Sequence, residues 1–416
     1  MKKNKTITST KDQASALLTE TLKCIREEHL ASEKAMIISD YNKACEEIQV
    51  CRRAVRQIIN SNRGGAKGMH GFLGERAQVH ISNAEALVNG NCKLYEILDN
   101  NGPIDYMKDS VPVQQKACQS DGRLGLNHVQ MHLKKYPFFP QEGGIYQIPK
   151  DFYQKYNRLK NMSPEIAGKL RNEEYSLWKY IQQFTKENPD IKIEPMTVSY
   201  KDIQVGTIEK TLSHASKHHK EIKQQRIENA VRENAPCVKE FTQVCLCSAG
   251  IEGVTEATML VAEKIQSGKH LRAFNSNDYY DIGKQALVGS GKGAVRGAMV
   301  YIATNYTPIP APIATAGTTA AFDITSQAIK YKKGEITKEE CVHNSIKSVT
   351  DVAVSTTSSM IGAKLISRLL PAKYKAAGIL GSLFGNVVGM AIYGVIKQKV
   401  YEPKEIKAQK NGAIKI

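Results

Sequence analysis

Four polar residues in the first half of the chain could together act on a phosphodiester bond. Glu75 lies in a helical pattern, Asp105 ends a short strand pattern, and Gln114 and Lys116 lie in the next one. Hydrolysis of such a bond needs a divalent cation at the scissile phosphate and a deprotonated water in line with it. Two carboxylates suit Mg²⁺, because this hard cation prefers oxygen ligands and keeps several waters. A nearby lysine can orient that water or stabilise the developing charge on the phosphate.

The spacing of Gln114 and Lys116 allows their side chains to act together. Successive side chains of a strand point to opposite faces, so residues two apart share a face. That face must point toward Asp105 for a site to form. We therefore predict Glu75, Asp105, Gln114 and Lys116 as catalytic residues. The first three are the predicted metal ligands, with Mg²⁺ or Mn²⁺ as the cofactor.

This arrangement resembles the PD-(D/E)xK nuclease superfamily, which has the restriction-endonuclease-like fold. There a first helix carries a Glu, a following strand an Asp and the next strand E-x-K or Q-x-K, and a further helix and strand complete the core. The resemblance covers residues 66–165 and implies Mg²⁺-dependent hydrolysis of nucleic acid, with DNA favoured over RNA. An active site, a degenerate nuclease-like fold and an unrelated fold stay open. Gln114 adds no charge to a metal site and Pro112 is unusual in a central strand, which weakens the first interpretation.

The chain also resembles an uncharacterised family of bacterial proteins with a Gly/Ala-rich C-terminal region. The shared motifs are G-F-x-x-E, Q-Q-K, H-L-K-x-Y-P, G-G-x-Y-Q-I-P-K-D and R-G-A-x-x-Y. Here they lie at residues 71–75, 114–116, 132–137, 143–151 and 296–301. This second resemblance implies no particular activity.

The hydrophobic pattern predicts the elements that would position the four residues. Apolar residues recur at three- and four-residue steps over residues 9–62, which predicts one or two long helices. Glycines at positions 64, 65 and 68 interrupt this pattern before a second helix over residues 72–87. The predicted elements that follow are two short strands within 100–121, a helix over 124–136, a strand over 145–149 and a helix over 150–160.

The rest of the chain is polar and mostly helical over residues 166–235 and rich in Gly and Ala from residue 288. The basic run from Lys217 to Arg226 is interpreted as a solvated helix face, with contact to a polyanion as the alternative. The segment Ala376–Ile396 is 21 residues long, has no charge and is flanked by lysines. Its glycines at 381, 385 and 389 favour close helix packing, either in a membrane or along a seam of a soluble assembly.

Composition limits the class of protein. The 416 residues include 58 Lys and Arg against 41 Asp and Glu, a net charge of +17. This surplus favours a polyanionic partner, either nucleic acid or an anionic membrane surface. The nine cysteines are irregularly spaced, which indicates a reducing, cytoplasmic setting. The hydrophobic fraction of 41% excludes a collagen-like or globally disordered chain.

We therefore predict an α+β, mostly helical chain in four segments. These are an N-terminal helical arm (1–62), a restriction-endonuclease-like α/β domain (63–170), a basic helical connector (171–287) and a Gly/Ala-rich helical domain (288–416) that could associate with a membrane. The predicted function is a bacterial toxin or phage-defence effector with nuclease activity, acting as a homo-oligomer. The alternative is a membrane-perturbing or oligomeric scaffold effector whose α/β domain only binds a ligand.

Overall fold

The structure is a computed structural model that describes residues 4–98, 102–119, 122–270 and 273–369. The chain divides into two compact units. Residues Leu30–Glu233 form the first, which we call the sheet unit. Residues Met1–His29 and Asn234–Ile416 form the second, which we call the helical unit.

Helices make up most of the sheet unit. It holds the later part of α1 (Asn4–Asn60), then α2 (Gly65–Val88), α3 (Leu126–Lys135), α4 (Lys150–Lys160), α5 (Pro164–Ala167), α6 (Asn172–Glu187) and α7 (Ile208–Glu233), with a short 3-10 helix at Lys201–Ile203. Its strands are β1 (Tyr95–Ile97), β2 (Tyr106–Lys108), β3 (Val111–Gln115), β4 (Ile145–Ile148) and β5 (Ile193–Pro195). The prediction of a mostly helical chain with a small α+β part is confirmed.

The five strands form one mixed sheet in the order β1-β2-β3-β4-β5. The first three are antiparallel neighbours, whereas β4 is parallel to β3 and β5 is parallel to β4. The turn between β2 and β3 consists of Asp109 and Ser110, both with positive φ, as tight hairpins require. Pro112 is the second residue of β3, and the pairing of β3 with β4 begins one residue later, at Val113. Because proline has no backbone N–H to donate, this position avoids a lost hydrogen bond to β4.

Apolar side chains place helices on both faces of the sheet. Val79 of α2 packs with Tyr106, Val113 and Ile145 on one face. On the other face, side chains of α3, α4 and α6 surround Tyr146 and Ile148. A separate core joins α1, α2 and α7, in which buried residues recur at three- and four-residue steps, as at Ala44, Ile48, Cys51, Val55 and Ile58 of α1.

Over its described residues, the helical unit contains four long helices besides the start of α1. They are α8 (Val238–Gln266), α9 (Ser276–Tyr306), α10 (Ala311–Lys332) and α11 (Lys338–Leu369). α9 begins with a capping box, in which the side chain of Asn275 accepts from the backbone of Asp278 and the side chain of Asp278 accepts from that of Asn275. Helix α8 packs along α9, and α10 packs with both α9 and α11.

The boundaries of the two units differ from the predicted segment boundaries at 62/63, 170/171 and 287/288. Helix α1 is continuous, and its later part shares a core with α2 and α7. Strand β5 completes the sheet, which carries the unit past residue 170. The segment Ala376–Ile396 lies outside the described residues, and its membrane association stays a prediction.

Candidate active site

Strand pairing brings Asp105 and Gln114 together. Tyr106 of β2 pairs with Val113 of β3, so Asp105, which directly precedes β2, lies opposite Gln114. The side-chain amide of Gln114 donates a hydrogen bond to Asp105 Oδ2. The backbone N–H of Gln115 donates to the same oxygen at 2.7 Å. The Asp105 carboxyl is therefore held by the strand that carries the predicted Q-x-K residues.

Glu75 on α2 belongs to the same electrostatic cluster. Burial and then the negative charge of Asp105 raise its pKa to about 8, while Arg76, Lys116 and Arg63 act in the opposite direction. Burial likewise raises the pKa of Asp105, against the effect of Lys116 and of the two hydrogen bonds from β3. The two carboxyl groups are thus close enough to repel each other in a partly desolvated place.

Lys116 supplies positive charge to this pair. It directly follows β3, and burial lowers the pKa of its ammonium, while Asp105 and then Glu75 raise it. These effects act through charge and include no hydrogen bond between the lysine and either carboxyl. Asp105 is therefore hydrogen bonded to Gln114 and lies within electrostatic range of Glu75 and Lys116.

The second glutamine of the Q-Q-K motif joins the strand to α2. Gln115 Nε2 donates to the carbonyl of Gly71 at 3.2 Å, one helical turn before Glu75. Helix and strand approach so closely that a Cβ on Gly74 would lie 2.6 Å from Gln115 Nε2. Gln115 thus fixes the position of the helix that carries Glu75. The sequence analysis did not assign it a role, although alternation along a strand places neighbouring glutamines on opposite faces.

A row of buried polar side chains continues from Gln115 across the sheet. Tyr106 Oη donates to Gln147 Oε1 at 2.7 Å and lies 3.5 Å from Gln115 Oε1. Gln147 Nε2 is 3.4 Å from Glu194 Oε2, which also accepts from Lys108 Nζ at 2.6 Å. This network uses the polar side chains on the α2 face and fixes the register of the central strands.

His132 on α3 supports the loop that leads to Asp105. Its Nε2 lies 3.1 Å from the carbonyl of Pro103, which can only accept, so Nε2 carries the proton. Nδ1 then accepts from the hydroxyl of Tyr146 at 2.8 Å. Burial and, to a smaller extent, Lys116 lower the pKa of His132 to about 4, so the ring is neutral at pH 7. Because both ring nitrogens are engaged, His132 is a positioning residue and not a metal ligand.

A cavity of about 350 Å³ with basic lining lies beside α2. Its wall includes Arg63, Arg76, Gln57 and Ser61. Both arginines lower the pKa of Glu75, which places their charges near the carboxyl cluster. Arg63 also lies over the ring of Phe72 at 4.2 Å from its centroid. The cavity offers guanidinium groups and neutral hydrogen-bonding side chains, which suit a phosphate-bearing ligand.

The donor set fits a hard divalent cation. Across the described residues no three His, Cys, Asp or Glu side chains come together, so a cation would depend on two carboxyls and other oxygen atoms. The negative charge of Asp105 raises the free energy needed to ionise Glu75, and a bound cation would offset this repulsion. The amide oxygen of Gln114 is a neutral ligand of the kind that Mg²⁺ accepts. The side chains present therefore suit Mg²⁺ or Mn²⁺.

Comparison with known proteins gives no relative. No model of a known protein family matches the chain, and neither does a curated protein or a solved structure. What this site can do must therefore follow from its side chains and their positions.

Proposed function

We propose that the chain is a metal-dependent nuclease that hydrolyses phosphodiester bonds, with DNA favoured over RNA. The observation that carries this proposal is the convergence of Glu75, Asp105, Gln114 and Lys116, which come from a helix, a loop and a strand. The element order α2-β1-β2-β3-α3-β4 also supports it. It contains the Glu helix, the Asp strand, the Q-x-K strand and the further helix and strand of the PD-(D/E)xK superfamily.

Each side chain has a role in this proposal. Glu75, Asp105 and Gln114 would hold Mg²⁺ or Mn²⁺, which supplies charge stabilisation at the phosphate and a more acidic water. Gln114 and the backbone of Gln115 keep the Asp105 carboxylate in one orientation. Lys116, whose pKa is lowered by burial, would orient the attacking water and stabilise the charge that develops on the phosphate.

The basic cavity beside α2 would hold the nucleic-acid backbone. Arg63 and Arg76 present positive charge next to the carboxyl cluster, which would otherwise repel a phosphodiester. The net charge of +17 acts in the same direction over longer distances. A nuclease of this kind in a bacterial cytoplasm would act as a toxin or as a phage-defence effector, which is inferred from the chemistry together with the Gly/Ala-rich helices.

The test is cleavage of plasmid, linear and single-stranded DNA and of RNA by the full-length protein. We expect cleavage with Mg²⁺ or Mn²⁺ and none with EDTA. Asp105→Ala and Lys116→Ala should each lower the rate by about 10²-fold or more. The matched control is Lys108→Ala, because Lys108 lies on the same sheet but pairs with Glu194.

Folding of each variant is checked by circular dichroism. The assignment is wrong if no substrate is cleaved, or if cleavage survives both substitutions in folded protein. Binding of nucleic acid without cleavage would favour the alternative, an effector whose α/β domain only binds a ligand.

A further inference from the structure

The helical unit buries mainly small and polar side chains and exposes many apolar ones, which is the reverse of a water-soluble helical bundle. Its buried residues are mostly small or polar: Ser15, Ser248 and Glu252 are 2% exposed, and Arg296 is 6% exposed. Val300 and Tyr301 are buried as well, but many large apolar residues lie outside, with Leu287 76% and Val254 68% exposed. Among the described residues, the three apolar cores formed by buried side chains all belong to the sheet unit. The described part of the helical unit is therefore held together by something other than a conventional apolar core.

Close backbone contact joins α8 and α9. Gly289, Gly293 and Gly297 lie four residues apart on the face of α9 that meets α8. A Cβ on Gly293 would lie 2.2 Å from the carbonyl oxygen of Ser248, and one on Gly297 would lie 2.6 Å from Ser248 Oγ. Glycines at this spacing let helices associate without help from water, as in membrane proteins.

A buried ion pair crosses the same contact. Arg296 donates a hydrogen bond to Glu252, and the guanidinium also lies 5.5 Å from the ring centroid of Phe322 on α10. Ser15 of α1 and Ser248 are hydrogen bonded at 2.7 Å nearby. Charged residues that are paired and turned toward the inside of a bundle are typical of helices with an apolar exterior.

The outer face of α9 is an apolar stripe. Leu287, Val295, Met299, Ile302 and Tyr306 are all exposed and follow each other at spacings of eight, four, three and four residues. Such spacings place them on one side of the helix. In a soluble protein a stripe of this kind faces the core, whereas here it faces outward. From Gly293 to Tyr306 the only charge is Arg296, which is paired, over a length of about 21 Å.

Helix α8 adds a second apolar surface. One stretch within Ile208–Gln266 has the length and composition to cross a membrane, and only 22% of it is buried. Charged residues are too frequent in α7 for this stretch, so it lies in α8. A core helix of a soluble protein is mostly buried, whereas most of this stretch is exposed. Exposed apolar residues also occur on α10 and α11, as at Ile329 and Ile346.

We propose that the α8-α9 hairpin docks its outer apolar face into a lipid bilayer with anionic headgroups. A second copy of the chain is a less suitable partner than a bilayer, because it would cover only one patch. The exposed apolar residues lie on several helices and surround a polar interior. The net charge of +17 complements anionic lipid. This inference concerns different residues from the proposed nuclease site and does not depend on it. It also differs from the membrane segment predicted at residues 376–396.

The test is flotation of the full-length protein with vesicles of phosphatidylcholine and phosphatidylglycerol. The wild type should float and stay bound after a wash at high salt, because its contact is apolar. The double variant Val295→Glu and Met299→Glu should lower the bound fraction by about tenfold or more, since carboxylates are strongly disfavoured in lipid. The matched control is Met131→Glu on α3, because Met131 is also a helical methionine and is 59% exposed.

Four results would overturn the proposal. The wild type could fail to float or be released by salt, or the double variant could float as well as the wild type while retaining its helical circular dichroism. A soluble homo-oligomer, seen by light scattering without lipid and dissociated by the double variant, would show that a second copy covers this face.

Discussion

Glu75 gives the sharpest test of the site, because its carboxyl is costly to ionise where it lies. Its pKa rises from 4.5 to about 8, first through burial and then through the charge of Asp105. At about 1.36 kcal/mol per pKa unit, the difference corresponds to about 5 kcal/mol. The side chain is half-buried, so solvent screens part of this energy, and we expect a net effect of about 3 kcal/mol.

The direction of the effect follows from which state binds the proton more tightly. A raised pKa in the folded protein means that protonated Glu75 favours folding. This contribution is complete below pH 4.5 and is lost as the pH rises through about 8. Glu75→Gln carries a neutral amide at every pH and avoids the loss. We therefore expect equal stability of variant and wild type near pH 4.5, and a variant that is about 3 kcal/mol more stable near pH 9.

The single tryptophan provides the assay. Trp178 lies on α6 against the core of the sheet unit, and its indole N–H donates to the carbonyl of Met162 at 3.3 Å. Its fluorescence therefore reports unfolding of the unit that contains Glu75. We propose urea titrations in EDTA at several pH values from about 5 to 9. The matched control is Glu96→Gln, which removes an exposed carboxyl from β1 of the same unit.

A stability difference that does not change between about pH 5 and 9 would refute this reasoning about Glu75. Addition of Mg²⁺ then tests whether Glu75 is a metal ligand or only a buried carboxyl. A cation that binds only the folded state stabilises the wild type and not Glu75→Gln, so the gap between them should narrow. If the pH dependence is present but Mg²⁺ leaves the gap unchanged, Glu75 is buried without being a ligand.

Two further predictions concern the surroundings of the site. Gly74→Ala should destabilise the sheet unit by about 1–3 kcal/mol, because its Cβ would displace Gln115. In contrast, Gly71→Ala should stabilise α2 by about 1 kcal/mol, because a Cβ at Gly71 meets nothing within 4 Å. Urea unfolding followed by tryptophan fluorescence measures the stability of both variants. Equal effects of the two substitutions would contradict the close contact at Gly74. In fluorescence anisotropy titrations, Arg63→Gln should reduce the slope of log affinity for duplex DNA against log salt concentration by about 0.9. The control Arg171→Gln, outside the basic cavity, should leave this slope unchanged. Equal slopes for the two variants would show that Arg63 does not contact DNA.

The sequence predicts the parts of the site that depend on local pattern. The two short strand patterns within residues 100–121 predict the β2-β3 hairpin. The observed pairing of these strands places Gln114 opposite Asp105. Strands β1 and β5 were not predicted, because three residues are too short to show a period. The role of Gln115 was missed because it depends on the close approach of α2, which is a tertiary contact.

The helical unit shows the same limit of sequence reasoning. The glycines at 289, 293 and 297 have the four-residue spacing that drew attention to 381, 385 and 389, and the composition change at residue 288 lies beside them. The sequence alone does not show which face of α9 they occupy or that Ser248 lies against them. That α1 divides between two units is equally hidden, because its pattern is helical throughout.

Two groups of charged side chains in the described part of the chain differ in a way that bears on function. Arg296 and Glu252 are joined by a direct hydrogen bond, so each charge compensates the other and the pair fixes how α8 meets α9. Glu75, Asp105 and Lys116 interact through charge alone, and the two carboxyls repel each other. The stability of the fold gains nothing from a charge at position 75, and we expect Glu75→Gln to be the more stable protein as the pH rises toward 9. A cluster that is costly to ionise and lies near the charges of Arg63 and Arg76 is typical of functional sites, so we expect the proposed chemistry in the sheet unit.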